Sequence, residues 1–246
     1  MKLVLLGTAG YHPNDQRHTA CLLIPECGVM LDAGTGMYRA ADYLAGDTLN
    51  IFLTHAHLDH VVGLTYLLNL MRTRSLSRVR VYGEAEKLAA IEAHLFAAAI
   101  FPKRPEILMT PLDGPVGLPE RGRLTYFPLA HAGGTLGFRL EWPEHSMAYV
   151  TDTTARPKVG YVSAVQGVDL LVHECYFRDG FEEWATITGH SCTTPVAQVA
   201  KEAGVQRLLL VHINPTETAE DPVGIETART VFPATEIAHD RMEVEF

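Results

Sequence analysis

The chain has 246 residues, 47% of them hydrophobic and 20% charged, with a formal net charge of −9. That composition can bury a sizeable core and excludes a disordered chain. The acidic balance argues against broad binding to nucleic acid, whose phosphates call for a basic surface.

The opening MKLVLLGTAG carries a short apolar run that stops at Gly7, which reads as a first strand and is too short for a secretory leader. No apolar run approaches the roughly 20 residues that cross a bilayer, so no membrane partner is expected. Cys21, Cys27, Cys175 and Cys192 form no CxxC pair, and reduced thiols in a cytoplasmic protein are the plain reading. Up to residue 60, KLVLLG, TACLLIP, GVMLDAG and LNIFLTH predict strands, punctuated by Gly7, Pro25, Gly28 and Gly34. HVVGLTYLLNLMR repeats apolar residues at three- and four-residue spacing and predicts a helix ending at Arg72. The following RTRSLSRVR holds Arg72, Arg74, Arg78 and Arg80 without an acid. It is either a patch that steers a small anion or, more plainly, a solvated helix end.

RVRVYG predicts a strand, and EAEKLAAIEAHLFAAAI an Ala-rich helix over 84–100 stopped by Pro102. RLTYFPLA, TLGFRLEW, SMAYVTD and VDLLVHECY then predict consecutive strands. TTPVAQVAKEAG predicts a short helix with Pro195 near its start and Gly204 at its end, and QRLLLVHI a strand before a last helix and strand. Each half runs strands first and helices later, with no linker or low-complexity tract between them. One α/β (α+β) domain over residues 1–246, two packed sheets with helices outside, fits better than repeated βαβ units. The usual signatures of nucleotide folds and hydrolase elbows are absent.

The segment IFLTHAHLDHVVGL crowds His55, His57, Asp59 and His60 beside a hydrophobic run. Polar side chains so placed are costly unless something satisfies them. They form a solvated turn or converge on an ion, and three imidazoles in six residues are hard to place without metal. His55 and His57, two apart on an extended strand end, point the same way. Asp59 and His60 follow in the turn and can face a second point, so one segment can serve two neighbouring metals. Further ligands are expected at later strand ends, where His131, Asp152 and His212 stand. His12, His18, His94, His145, His173 and His239 stay unassigned, because a lone histidine is usually a packed or solvated residue.

THAHLDH, with the later histidines and aspartate in order, resembles the signature of the metallo-β-lactamase superfamily. LLGTAGYHPNDQRHTACLLI, MLDAGTG, TGHSCT and LLLVHI resemble its ribonuclease Z and phosphodiesterase branch, and the likeness covers nearly the whole chain. The resemblance implies a four-layer αββα sandwich and a binuclear hydrolase. His55, His57 and His131 would hold one metal, Asp59, His60 and His212 the other, with Asp152 bridging. The ions would be zinc, with manganese or iron as alternatives. Asp32 matches an aspartate that orients a ligand imidazole, against the reading of a turn-forming residue. His190, in GHS, matches a histidine near the leaving group, against the reading of a neighbour to a helix cap.

These implications predict a phosphodiesterase in which a metal-bridging hydroxide attacks, Asp59 orients it and His190 protonates the leaving oxygen. A thioesterase or lactonase with the same centre is the alternative, and a non-enzymatic metal-binding protein the weakest reading. Two departures count against tRNA maturation. The branch carries a tRNA-gripping arm between the matches to His131 and Asp152, where this chain has only residues 132–151. INPT follows His212 in place of the Arg and Tyr usual there. The expected substrate is therefore a small molecule or short nucleotide rather than extended nucleic acid, and a homodimer is compatible with it.

Overall fold

A computed structural model describes residues 1–246. Most of the apolar runs become strands because they are buried on both faces. Leu3 and Leu5 of β1 (Lys2–Gly7) enter one core while Val4 and Leu6 enter another, the period of two that an extended chain imposes. β2 (Cys21–Ile24), β3 (Val29–Leu31), β4 (Thr48–Phe52), β5 (Arg78–Gly83) and β6 (Leu108–Pro111) follow in the same sheet. β7 (Val116–Leu118), β8 (Gly122–Leu129), β9 (Thr135–Glu141), β10 (Ser146–Val150), β11 (Leu170–Glu174), β12 (Arg207–Val211) and β13 (Thr235–Ile237) build a second. β14 (Glu243–Glu245) returns to pair with β1, so each sheet has seven strands.

Each sheet is antiparallel on one side and parallel on the other: β3 to β6 run parallel, as do β10 to β13. Phe52, Phe138, Tyr149, Val172 and Leu209 meet between the sheets, with Phe52 stacked on Tyr82 at 4.6 Å. The outer face of the first sheet packs on α1 (Leu58–Val61), α2 (Leu67–Arg74) and α3 (Ala85–Ala90) through Val61, Leu67, Leu70 and Leu88. After α4 (Glu182–Thr188), α5 (Thr193–Ala203) covers the outer face of the second through Val196, Val199 and Ala200, and α6 (Ile225–Val231) packs beside α5. The result is the expected αββα layering.

Two helices depart from expectation. The predicted helix over 60–72 starts earlier, at Leu58, and is interrupted by a 3-10 segment over Val62–Tyr66. There the Gly63 N–H leaves the helical ladder and donates to the Ala33 carbonyl at 2.8 Å. A Cβ on Gly63 would stand 2.3 Å from the Gly34 carbonyl oxygen, so the break depends on glycine and a tertiary contact. The predicted helix over 84–100 ends at Leu95 in a π-helical turn, Ile91–Leu95, and does not reach Ile100. Its Phe96 N–H donates to the Ile91 carbonyl at 3.1 Å, and this wider turn brings Phe96 back into the core. β6, β7 and α4 were not predicted, and the single strand expected after the last helix is two, β13 and β14.

Candidate metal centre

Four of the candidate ligands follow the C-terminal ends of strands, the others stand at the start of α1, and those ends converge. His55 follows β4, His131 follows β8, Asp152 follows β10 and His212 follows β12, while His57 precedes α1 and Asp59 and His60 lie in it. Asp32, Asp152 and His212 take left-handed backbone at φ 57°, 47° and 56°. Non-glycine residues adopt it at a cost of about 1–3 kcal/mol each, and such strain gathers at functional sites. Gly10 lets the chain pass close to His212, since a Cβ there would lie 2.3 Å from the ring.

Asp152 divides its carboxylate between two groups. Its Oδ1 faces His131 Nε2 at 3.7 Å and His55 Nε2 at 3.9 Å. Its Oδ2 faces His60 Nε2 at 3.2 Å and His212 Nε2 at 3.3 Å. Asp59 Oδ2 stands 3.3 Å from His60 Nε2 and 3.5 Å from His212 Nε2, and accepts the Tyr11 N–H at 2.8 Å. The sets His55, His57, His131, Asp152 and Asp59, His60, His212 each bring their ligand atoms within 4.8 Å of one another and could each hold a metal ion.

Partners behind the rings decide which nitrogen faces inward. His60 Nδ1 donates to Asp32 Oδ2 at 2.8 Å, and His131 Nδ1 donates to the Gly189 carbonyl at 3.1 Å. Thr54 Oγ1 donates to Asp32 and lies 3.0 Å from His55 Nδ1, which can donate to it. Each arrangement leaves Nε2 as a lone pair aimed at the centre, the usual tuning of a metal-bound imidazole. Asp32, fully buried, also accepts the Thr54 N–H at 2.8 Å and the Tyr149 hydroxyl at 3.1 Å, so its carboxylate is spent on groups behind the candidate ligands.

The residues fit a cation. His55 Nε2 is buried without a hydrogen-bond partner, and the Nε2 atoms of His60 and His212 lie 3.2 Å apart among carboxylate oxygens. Lone pairs so crowded require a positive charge between them. Burial, with His60 close by, holds the His55 pKa well below the ordinary imidazole value, and burial with His131 also lowers that of His57. Burial opposes charge on His60 too, but Asp152, Asp59 and Asp32 outweigh it and raise its pKa well above that value, a proton standing where a metal would. Burial likewise opposes ionisation of Asp152 and Asp59, yet the surrounding imidazoles keep both pKa values below the carboxylate range. Neutral imidazole and ionised carboxylate are what zinc and similar ions bind.

His190 stands at the same cavity, with a ring nitrogen within 4.8 Å of ligand atoms of Asp152 and His212. Its Nδ1 donates to Glu174 Oε1 at 3.1 Å, and its ring stacks on Tyr176 at 4.6 Å. Glu174 is fully buried and also accepts the backbone N–H groups of Thr153 and Ser191 at 2.8 and 3.1 Å. Burial lowers the His190 pKa, but Glu174 overcomes this and raises it. Glu174, Thr54 and Tyr149 were missed in the sequence. Glu174 had a signal, a carboxylate closing the strand VDLLVHE just as Asp152 follows SMAYV.

His173 is a core residue, accepting from the Tyr161 hydroxyl at 2.7 Å and donating to the Glu174 carbonyl at 2.7 Å. The arginine patch lies elsewhere. Arg78 pairs with Thr48 at the start of β4, whereas His55 follows its end, on the order of 20 Å away at strand rise. Arg72 donates to Asn69 and Arg74 to the Leu44 carbonyl, and none of the four lines the ligand cavity.

Residues 29–213 match the family model of the beta-lactamase superfamily domain. A ribonuclease Z of Methanothermobacter thermautotrophicus is 27% identical across 100% of this chain and 96% of its own length. The metallo-beta-lactamase fold protein YhfI of Bacillus subtilis superposes with a TM-score of 0.81 at 21% identity, covering 99% of each chain. A diphosphatase of the PhnP family superposes at 0.75, also at 21% identity, covering 100% of this chain and 97% of that one. The αββα layers, the strand-end ligands and the matched span make this chain a member of the metallo-β-lactamase superfamily, in its ribonuclease Z-like branch.

Proposed function

We propose that this chain is a binuclear metal-dependent phosphodiesterase acting on a small or modest phosphodiester. One observation carries the reading: His190, held by Glu174, stands beside two ligand groups that share Asp152. His55, His57, His131 and Asp152 would hold one divalent ion and Asp59, His60 and His212 the other, with Asp152 serving both. Zinc suits this donor set, and manganese or iron can replace it. Two such ions, when bound, supply an ionised water and a sink for charge on the phosphoryl oxygens.

The chain's own residues do the remaining work. Asp59 Oδ2, which accepts the Tyr11 N–H, would orient the attacking water. Glu174 occupies His190 Nδ1, which leaves Nε2 to carry the proton needed by the departing oxygen. Asp32, through His60 and Thr54, holds the ligand rings in register. Glu174→Gln is expected to cost about 10²-fold in kcat on diesters with poor leaving groups, the low end of a general acid's contribution. Its metal content should stay at the wild-type level, as elemental analysis will check.

The likeness to a ribonuclease Z supports phosphodiester chemistry. tRNA precursors fit poorly. The alignment to that ribonuclease Z spans 301 positions against 246 residues here, and β9 and β10 form one hairpin between His131 and Asp152. The buried free cysteines support a cytoplasmic setting. Initial rates of metal-loaded protein on bis-p-nitrophenyl phosphate, a thioester, a lactone and a tRNA precursor test the reading. The diester should give the highest kcat/KM. Hydrolysis confined to the carbonyl substrates, or rapid specific cleavage of the precursor, would overturn it.

A further inference from the structure

Beside the ligand cavity opens a second cleft of about 420 Å³, within the range of about 300–1,000 Å³ that small ligands occupy. Ala56 and Leu58 line both, so the two spaces adjoin across these residues. Val61, Ile91, Leu95 and Ile100 complete the apolar wall, and His94 is its one polar side chain. Leu58 lies in sequence between His57 and Asp59. Leu58 is thus a wall shared by the ligand cluster's cavity and this cleft.

Two features set the cleft apart from ordinary surface. Ile91, His94 and Leu95 come from the π-helical turn, and such turns are rare overall and frequent at functional sites. At the lip, Leu58 and Ile100 are 69% and 70% exposed, two large aliphatic side chains offered to one space. With His94 alone to satisfy a hydrogen-bonding edge, a nucleobase would leave polar atoms unpaired here, whereas a hydrocarbon would not.

Resting on the phosphodiesterase reading, we propose that this cleft binds an aliphatic substituent of the substrate. The substrate class is then an alkyl phosphodiester, its charged phosphoryl group at the histidine–aspartate cluster and its chain against Leu58, Leu95 and Ile100.

The test is a series of p-nitrophenyl alkyl phosphates, methyl, butyl and hexyl, hydrolysed by metal-loaded protein. kcat/KM should rise about fourfold per methylene, the value of burying one CH₂, until the cleft is full. Ile100→Glu sets a charge at an exposed lip position, so it should keep the wild-type melting temperature while the rise with chain length flattens. A flat series in the wild type, or the same slope in Ile100→Glu, overturns the assignment. So does a flat series together with a dimer, seen by sedimentation, that Ile100→Glu splits, because the cleft then belongs to self-association. If no diester is cleaved, the phosphodiesterase reading falls by itself and binding decides the cleft. Hexylphosphonate binding more tightly than methylphosphonate by calorimetry, with the difference lost in Ile100→Glu, supports it, and equal affinities overturn it.

Discussion

Asp152→Asn is expected to lower hydrolysis by on the order of 10³-fold or more, since paired ions contribute several kcal/mol of charge stabilisation. Asparagine keeps the shape and tolerates the left-handed backbone at φ 47°, so the fold should survive. What changes is the oxygen pair. Oδ1 serves His55 and His131, and Oδ2 serves His60 and His212, so an amide presents an N–H₂ to one group whichever way it turns. At least one ion should be lost, and the other held more weakly. His57→Ala, removing an exposed ligand of one group only, should release no more than one ion. Metal content of the two folded variants, read beside their rates, checks the expectation.

His190→Ala should separate acid catalysis from metal binding. It is expected to keep both ions while slowing diesters with poor leaving groups by about 10²–10⁴-fold, the range for a positioned general acid. The loss should shrink for p-nitrophenolate, which departs readily without a proton. His212→Ala should instead lose an ion and fail on every substrate. The contrast matters because His190 comes within 4.8 Å of Asp152 and His212 ligand atoms and could itself complete a metal group. If His190→Ala loses metal, or slows good and poor leaving groups alike, the acid assignment is wrong.

Most of the fold was legible because its central strands are buried on both faces, and runs such as RLLLV and KLVLLG have little else to be. The outer strands were not. β6 and β7, LMTP and VGL, are short and partly exposed, and only their neighbours make them strands. α4, EEWATIT, leaves Trp184 and Ile187 exposed and buries only Ala185, so it carries no apolar stripe. The break at Gly63 depends on Ala33, thirty residues away in the chain, and local periodicity holds no trace of it.

The ligand cluster was visible because imidazoles are scarce and here come packed at a strand end. Asp32 stood out within LDAG, and the structure places it behind His60. Glu174, Thr54 and Tyr149 contact the candidate residues from behind, and only the folded arrangement shows what they touch. A single carboxylate closing an apolar run has too many ordinary explanations to be read alone. The arginine patch shows the converse, a conspicuous run of charge that the fold carries to the far end of β4.

Elemental analysis of the protein purified without added metal or chelator tests the central claim most directly. The geometry predicts close to two equivalents of zinc, manganese or iron per chain. Their removal by chelator should lower the melting temperature and end hydrolysis, because ions bound only to the native state stabilise it. A protein without transition metal, equally stable in chelator, would contradict the account.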